Sequence, residues 1–431
     1  MIFKTDGGNV PEGQIYARGC LRAGPATYRD VFSRNPDPGS AELAWRRQHF
    51  RCVKEEFMKK KWCVLGSLLL VLLMWGPAWA KPVRIGLMCP LTGSWASEGQ
   101  NMKRIVELLV AETNRAGGIN GDQVELVVED DGGDPRQAAL AASRLSTKDI
   151  VAVIGTYGSS VTEASQNIYA ESDIIQIATG STAIRLTEKK LPLFFRTCPR
   201  DDDQGAVAAK VLAALGHSKI AILHDNTSYA KGLADEARAL IEKSDQTVVF
   251  FDALTPGERD YNAILTKLRT AAPDIIFFTG YYPEVGMLLR QKMEMGWDVP
   301  ILGGDATNNP DLVKIAGNKA ARGYMFLSPP VPADLDTPEA KDFLAAYRAA
   351  HAGDPGSVWA VLAGDAYRAL VQAIAATGGT APDKLAAYLK NDLKDFSGLT
   401  GKISFNEKGD RVGDLYRVYE VDADGKFVPR P

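Results

Sequence analysis

From Val83 onward the chain alternates short β-rich runs with amphipathic stretches, and that rhythm leaves few folds open to it. Strands separated by helices pair in parallel, because a parallel connection must carry the chain back along the sheet before the next strand begins. The first expected strands are Val83–Met88, Gln123–Glu129, Ile150–Gly155 and Ile174–Ala178. Between the first two, Gly99–Asn114 places Met102, Ile105, Val106 and Leu109 on one helical face. Asp134-Pro135 supplies an N-cap and a first-turn proline for the next helix. A second set begins after Phe194-Phe195-Arg196, with strands at Lys219–His224, Thr247–Phe251, Asp274–Thr279 and Pro300–Leu302. Helices are expected near Ala263–Ala271 and from Pro283.

The tail breaks the rhythm. After Gly323–Leu327 come helices near Pro338–Ala350, Ser357–Thr377 and Pro382–Leu389, then strands at Gly401–Phe405 and Leu415–Val421. A segment of this size cannot easily build its own sheet, so it is expected to pack on the first unit. The chain then crosses between units several times. The fold class is α/β, two Rossmann-like lobes with parallel central sheets and a hinge between them. The expected lobes are 81–199 with 329–415, and 200–328 with 416–431.

Upstream of Val83 lies a different kind of sequence. Lys59, Lys60 and Lys61 precede an apolar run from Val64 to Met74, and Ala78-Trp79-Ala80 follows it. A basic start, a short apolar core and an A-x-A site make a secretory signal peptide over 58–80, with cleavage after Ala80. A bilayer span needs roughly 20 apolar residues, so the run is too short to anchor the chain. Residues 1–57 are irregular, and Lys54-Glu55-Glu56 can be encoded by a purine-rich ribosome-binding sequence. They are expected to be leader read as protein, with translation starting at Met58. The remaining 81–431 carries 38 Lys and Arg against 46 Asp and Glu, a net charge of −8 that disfavours nucleic acid and membrane surfaces. Of the five cysteines only Cys89 and Cys198 fall in this part; a disulfide and two buried thiols are both open.

No catalytic constellation is present. There is no P-loop, no G-x-S-x-G, no C-x-x-C and no H-E-x-x-H, and no metal or cofactor set, so the chain reads as a binder and not an enzyme. His224-Asp225 ends a strand without an adjacent nucleophile and reads as structural. What is present is a series of polar, Gly-containing turns at the carboxyl ends of the expected strands, where open α/β sheets bind ligands. Thr156-Tyr157-Gly158-Ser159-Ser160 leads into a helix whose free N–H groups suit a carboxylate, although a serine there also serves as a helix cap. Thr179-Gly180-Ser181-Thr182 offers hydroxyls on the next strand. In the second unit, Tyr281 follows Asp274–Thr279, and Asp305 follows Leu302-Gly303-Gly304. A helix from Pro310 with Asn309 as cap leaves Asp305 free to meet an ammonium group.

In this order the motifs resemble the type I periplasmic binding proteins of branched-chain amino acid transport, the Leu/Ile/Val-binding group. The likeness runs through Pro90-Leu91-Thr92-Gly93, Gly117-Gly118-Ile119-Asn120-Gly121, Asp130-Asp131 with Asp134-Pro135, and Ser159-Ser160. It continues through Arg196-Thr197 with Asp203-Gln204-Gly205, His224-Asp225 with Tyr229, Gly280-Tyr281 with Pro283-Glu284, and Phe405-Asn406-Glu407-Lys408-Gly409-Asp410. The resemblance implies two lobes joined by a three-strand hinge, closing on an amino acid in the periplasm. It also implies a monomer that delivers its ligand to the membrane permease of an ABC importer. The residues matched by Ser159, Gly180 and Thr182 hold the ligand's carboxylate and amine, Tyr229 and Tyr281 add contacts, and Asp305 stands where an acid pairs with the ammonium. The side-chain pocket departs from the pattern, with Glu98, Tyr157, Gly158 and Ser357 where apolar and aromatic groups are usual. Glu98 reads either as a first-turn acid favoured by the helix dipole or as a cleft residue. In the second case a purely aliphatic ligand leaves it desolvated. Binders of amides, urea and aromatic acids share the family.

Overall fold

The computed structural model describes Met58 and residues 81–430. The expected leader and the apolar run lie outside the described residues.

The first sheet holds β1 (Val83–Cys89), β2 (Val124–Asp130), β3 (Ala152–Ile154), β4 (Ile175–Ala178) and β5 (Phe194–Arg196) in the order β2-β1-β3-β4-β5. Every pairing in it is parallel. Strands covered on both faces lose the alternation of half-buried ones. Ile175–Ala178 accordingly has all four residues buried. β5 is the element the sequence reading missed, where Phe194-Phe195-Arg196 was taken only as the boundary of the second unit. Three residues are too few for a periodicity to show, and Leu193 O holds β4 in register by accepting the Gln176 N–H at 2.9 Å.

The second sheet takes β6 (Lys219–His224), β7 (Thr247–Ala253), β8 (Ile275–Thr279), β9 (Ile301–Gly303) and β10 (Met325–Ser328) in parallel. β11 (Phe396–Gly398) and β12 (Gly401–Ile403) form a separate two-stranded ladder, while β13 (Arg417–Val421) and β14 (Phe427–Pro429) join β10 antiparallel. The seven-stranded order is β14-β13-β10-β9-β8-β6-β7.

Between β10 and β13 the chain returns to the first sheet. Its 20-residue helix Val358–Thr377 packs along Ala96–Arg115, also 20 residues. Gly364 makes the approach possible, since a Cβ there would sit 3.0 Å from Ile105 Cγ2 and 2.9 Å from Leu399 Cδ1. The chain thus passes between the sheets three times, after β5, after β10 and before β13. Cys89 and Cys198 are both buried free thiols. His224 is structural: its Nδ1 accepts the Asn226 N–H at 3.0 Å and its ring lies against Phe251.

Candidate functional site

The carboxyl ends of both parallel sheets face one cleft, so the turns after β1, β3, β4, β6, β8 and β9 meet there. From the first lobe, helix Ser159–Glu171 starts directly after Gly158, and Ser159 is fully buried. Its Oγ accepts the Ala183 N–H at 3.2 Å, which ties the turn after β3 to the turn after β4. Gly180 lies under Tyr157, where an added Cβ would come within 2.7 Å of the ring. Thr182 is buried and its hydroxyl has no hydrogen-bond partner. Gly158 plays the same permissive role beneath Trp95, 2.7 Å from a Cβ built on it.

From the second lobe, Tyr229 sits on helix Ser228–Ile241 and accepts the Ala306 N–H at 3.4 Å. Tyr281 precedes helix Tyr282–Glu294 and stacks on Trp95 across the cleft, with ring centroids 4.2 Å apart. Tyr157 and Tyr229 flank it at 5.7 and 5.4 Å. Tyr157 also reaches over the cleft, donating to Ala306 O at 3.3 Å.

Asp305 opens a short 3-10 turn and is 1% exposed, and Ser159 is likewise interior. Asp305 Oδ2 accepts from Tyr416 Oη at 2.8 Å, and its backbone N–H donates to Gln204 Oε1 at 2.9 Å. Gln204 in turn donates to Tyr416 Oη at 3.1 Å, which closes a buried ring of three residues. Burial pushes the Asp305 carboxyl up to about 6, while the Tyr416 and Tyr229 hydroxyls pull it back down.

Glu98 stands in the first turn of its helix and also meets Asn309 of the second lobe. It is fully buried in the first turn of helix Ala96–Arg115. Its Oε2 accepts from Ser357 Oγ at 2.5 Å and its Oε1 from Asn309 Nδ2 at 2.6 Å. Asn309 belongs to the second lobe and is oriented by its own Oδ1, which accepts the Asp311 N–H at 2.8 Å. The helix after it is Asp311–Ala316, one residue later than expected. Desolvation raises the Glu98 carboxyl to about 7 against the opposing effect of its two donors.

The fold therefore gathers all ten residues read from the sequence. It also adds Trp95, Gln204, Asn309 and Tyr416, which were not read. Trp95 carried a usable signal, since it stands in the turn after β1 as Tyr157 stands after β3. Tyr416 carried none: it reaches Asp305 across 111 positions of sequence. A cavity of about 340 Å³ adjoins Trp95 and Tyr281 and is lined by Gly132 and Ser160 from one lobe and Asp225 and Glu284 from the other. Among the described residues no cluster of His, Cys, Asp and Glu could hold a metal ion.

Two α/β lobes joined by three chain crossings and closed on a buried cleft of hydroxyls and carboxylates define a solute-binding protein. The chain belongs to the periplasmic binding protein family, whose model matches residues 82–426. It is 34% identical over 371 residues to the Leu/Ile/Val-binding protein homolog 2 of Brucella abortus, covering 85% of this chain and 98% of that one. It is 33% identical over 346 residues to the leucine-, isoleucine-, valine-, threonine-, and alanine-binding protein of Pseudomonas aeruginosa, covering 80% and 91%. Among solved structures it is similar to the branched-chain amino acid transporter substrate binding protein LivJ of Streptococcus pneumoniae in complex with isoleucine. There the TM-score is 0.73 at 30% identity, over 80% of this chain and 98% of that one.

Proposed function

We propose that the protein captures an amino acid in the periplasm and delivers it to the membrane permease of an ABC importer. The observation that carries this is the division of charge across the cleft. The first lobe presents hydroxyls and a helix N-terminus at Ser159 and Thr182, and the second presents the Asp305 carboxylate among Tyr229, Tyr281 and Tyr416. A zwitterion fits that polarity, its carboxylate toward the helix N-terminus and its ammonium toward Asp305. Relatives named for binding leucine, isoleucine, valine, threonine and alanine support the same ligand class. In this reading Ser159, Gly180 and Thr182 hold the ligand's carboxylate and amine, and Glu98, Tyr157, Gly158 and Ser357 surround the side chain. Export as a monomer with a cleaved signal peptide belongs to the same proposal.

Glu98 favours one part of that ligand class. A buried carboxylate held only by Ser357 and Asn309 keeps unused acceptor capacity, which a hydroxyl or amide side chain satisfies and a branched aliphatic one does not. A thermal-shift screen of purified protein against the amino acids, amides and small organic acids tests the class. Calorimetry on variants tests the site. Truncating one partner of a buried charge pair costs about 2–5 kcal/mol, so Asp305→Ala is expected to weaken an amino acid by roughly 30-fold or more. Ser159→Ala removes one hydroxyl and costs about 1–3 kcal/mol. An Asp305→Ala variant that binds as tightly as the parent overturns the assignment.

A further inference from the structure

The indole N–H of Trp359 is buried and has no hydrogen-bond partner among the described residues. The residue is 1% exposed, in the first turn of the 20-residue helix Val358–Thr377. An indole nitrogen only donates, so no change of protonation or tautomer relieves it. Buried tryptophans usually find an acceptor, and a donor left without one makes the ring costlier to bury than a phenylalanine in its place. The chain keeps that cost at a wall of the cleft.

The neighbours of Trp359 place it at the side-chain end of the cleft. Ser357, two residues earlier, makes no hydrogen bond to cap the helix; its hydroxyl donates to Glu98 Oε2 at 2.5 Å instead. Tyr157 lies edge-on to Trp359 with ring centroids 6.3 Å apart. Burial raises the Tyr157 hydroxyl well above its usual range and the charge of Glu98 raises it further, so the acid borders the same ring. Glu98 receives one donor on each oxygen, from Ser357 and Asn309, and each oxygen has a second lone pair. Tyr157 and Ser357 thus bring together a donor without an acceptor and an acceptor with capacity to spare.

We propose that Trp359 is a specificity-determining residue, and that with Glu98 it selects a ligand side chain carrying both a hydrogen-bond acceptor and a donor. The acceptor takes the indole N–H, and the donor takes a free lone pair of Glu98. A carboxamide presents the two on separate atoms and a hydroxyl presents them on one. This rests on reading the cleft as an amino-acid site with Glu98, Tyr157, Gly158 and Ser357 around the side chain. A branched aliphatic group fills the same space but leaves both protein groups unpaired, and a site built to bond a polar group rejects such an analogue strongly.

Calorimetric titration of the parent and Trp359→Phe tests this with three pairs of amino acids close in size. They are L-asparagine with L-leucine, L-glutamine with L-norleucine, and L-threonine with L-valine. Phenylalanine keeps an aromatic ring in the wall and removes the N–H. The parent is expected to bind at least one polar member tenfold or more tighter than its aliphatic counterpart. Trp359→Phe is expected to weaken that member at least fivefold and to leave the counterpart unchanged or tighter. A loss confined to asparagine or glutamine identifies a carboxamide ligand, and one confined to threonine identifies a hydroxyl. A variant that weakens polar and aliphatic members alike marks Trp359 as structural, and one that weakens neither removes it from selection; either result overturns the proposal. The parent's own preference needs no substitution and stands even where Trp359→Phe does not fold. Aliphatic members bound as tightly as the polar ones, or no polar member bound at all, overturn the proposal in that arm. If the parent binds no amino acid in the thermal-shift screen, the amino-acid reading itself fails, which is distinct from a cleft that binds leucine and ignores asparagine.

Discussion

Glu98 is a carboxylate held by an amide and a hydroxyl, and among the described residues no Lys or Arg pairs with it. Its carboxyl rises from the ordinary glutamate value of 4.5 to about 7, chiefly through burial. The folded state therefore binds the proton more tightly than the unfolded one. The stability this proton brings is fully present below about pH 4.5 and is lost as pH rises through about 7. Glu98→Gln keeps both hydrogen bonds within reach and removes the charge. Its melting temperature is expected to gain on the parent from about pH 5 to 8, by up to roughly 1.4 kcal/mol per pH unit in stability. Scanning calorimetry across that range decides it, and a difference that stays flat with pH rules the burial argument out. At this scale the sequence was readable where a polar residue followed a strand or sat beside a glycine. Ser159, Thr182 and Asp305 all met that description. Gln204 and Tyr416 met no local rule and Asn309 met only the rule for a helix cap, because what places each beside the cleft comes from distant parts of the chain.

Short elements hold the site in place. β5 is only Phe194–Arg196, yet its last residue anchors three segments at once. Arg196 Nε donates to Asp410 Oδ1 at 2.6 Å with both groups buried, and its remaining N–H groups donate to Ser181 O, Ala183 O and Thr187 Oγ1. The Thr179–Thr182 turn is thereby fastened to β5 and to the segment that leads into the last chain crossing. Burial pushes the Asp410 carboxyl up, but Arg196 and Arg200 together hold it below the usual range. Removing one partner of such a pair strands the other, so Arg196→Ala is expected to cost about 3–5 kcal/mol in urea denaturation. Arg196→Lys keeps the charge but loses the fork, and is expected to fall between the two. A loss below about 1 kcal/mol for Arg196→Ala contradicts the anchoring role, since that is the range of an exposed ion pair. The longer elements were legible from their periodicity, as with the stripe of Met102, Ile105, Val106 and Leu109. β5 was not, because three residues carry no period and its partners lie up to 214 positions away.

For the whole molecule the question is what keeps two lobes closed on a small ligand. The bonds that span the cleft away from the proposed ligand contacts come mainly from Tyr282 and Asn309. Tyr282 Oη donates to Ser94 O at 2.9 Å and lies 3.1 Å from Ser97 Oγ, and Asn309 Nδ2 reaches Ser97 Oγ at 3.2 Å as well as Glu98. On the opposite rim, Ser228 bonds Arg185 and Glu163. Such bonds exist only when the lobes meet, so they add to the closed state and not to the open one. A net hydrogen bond contributes about 0.5–1.5 kcal/mol. Tyr282→Phe removes the hydroxyl that makes two of them, and is expected to weaken ligand binding by roughly fivefold or more. The loss is expected mainly in a faster dissociation rate, because an open cleft admits ligand as before while a closed one now reopens more readily. Small-angle scattering on the parent is expected to show a smaller radius of gyration at saturating ligand, and Tyr282→Phe to reach the same compact value only at higher ligand concentration. Affinity and dissociation rate unchanged in Tyr282→Phe show that the rim bonds do not set the closing equilibrium. A saturated variant that never becomes compact shows instead that they are required for closure itself.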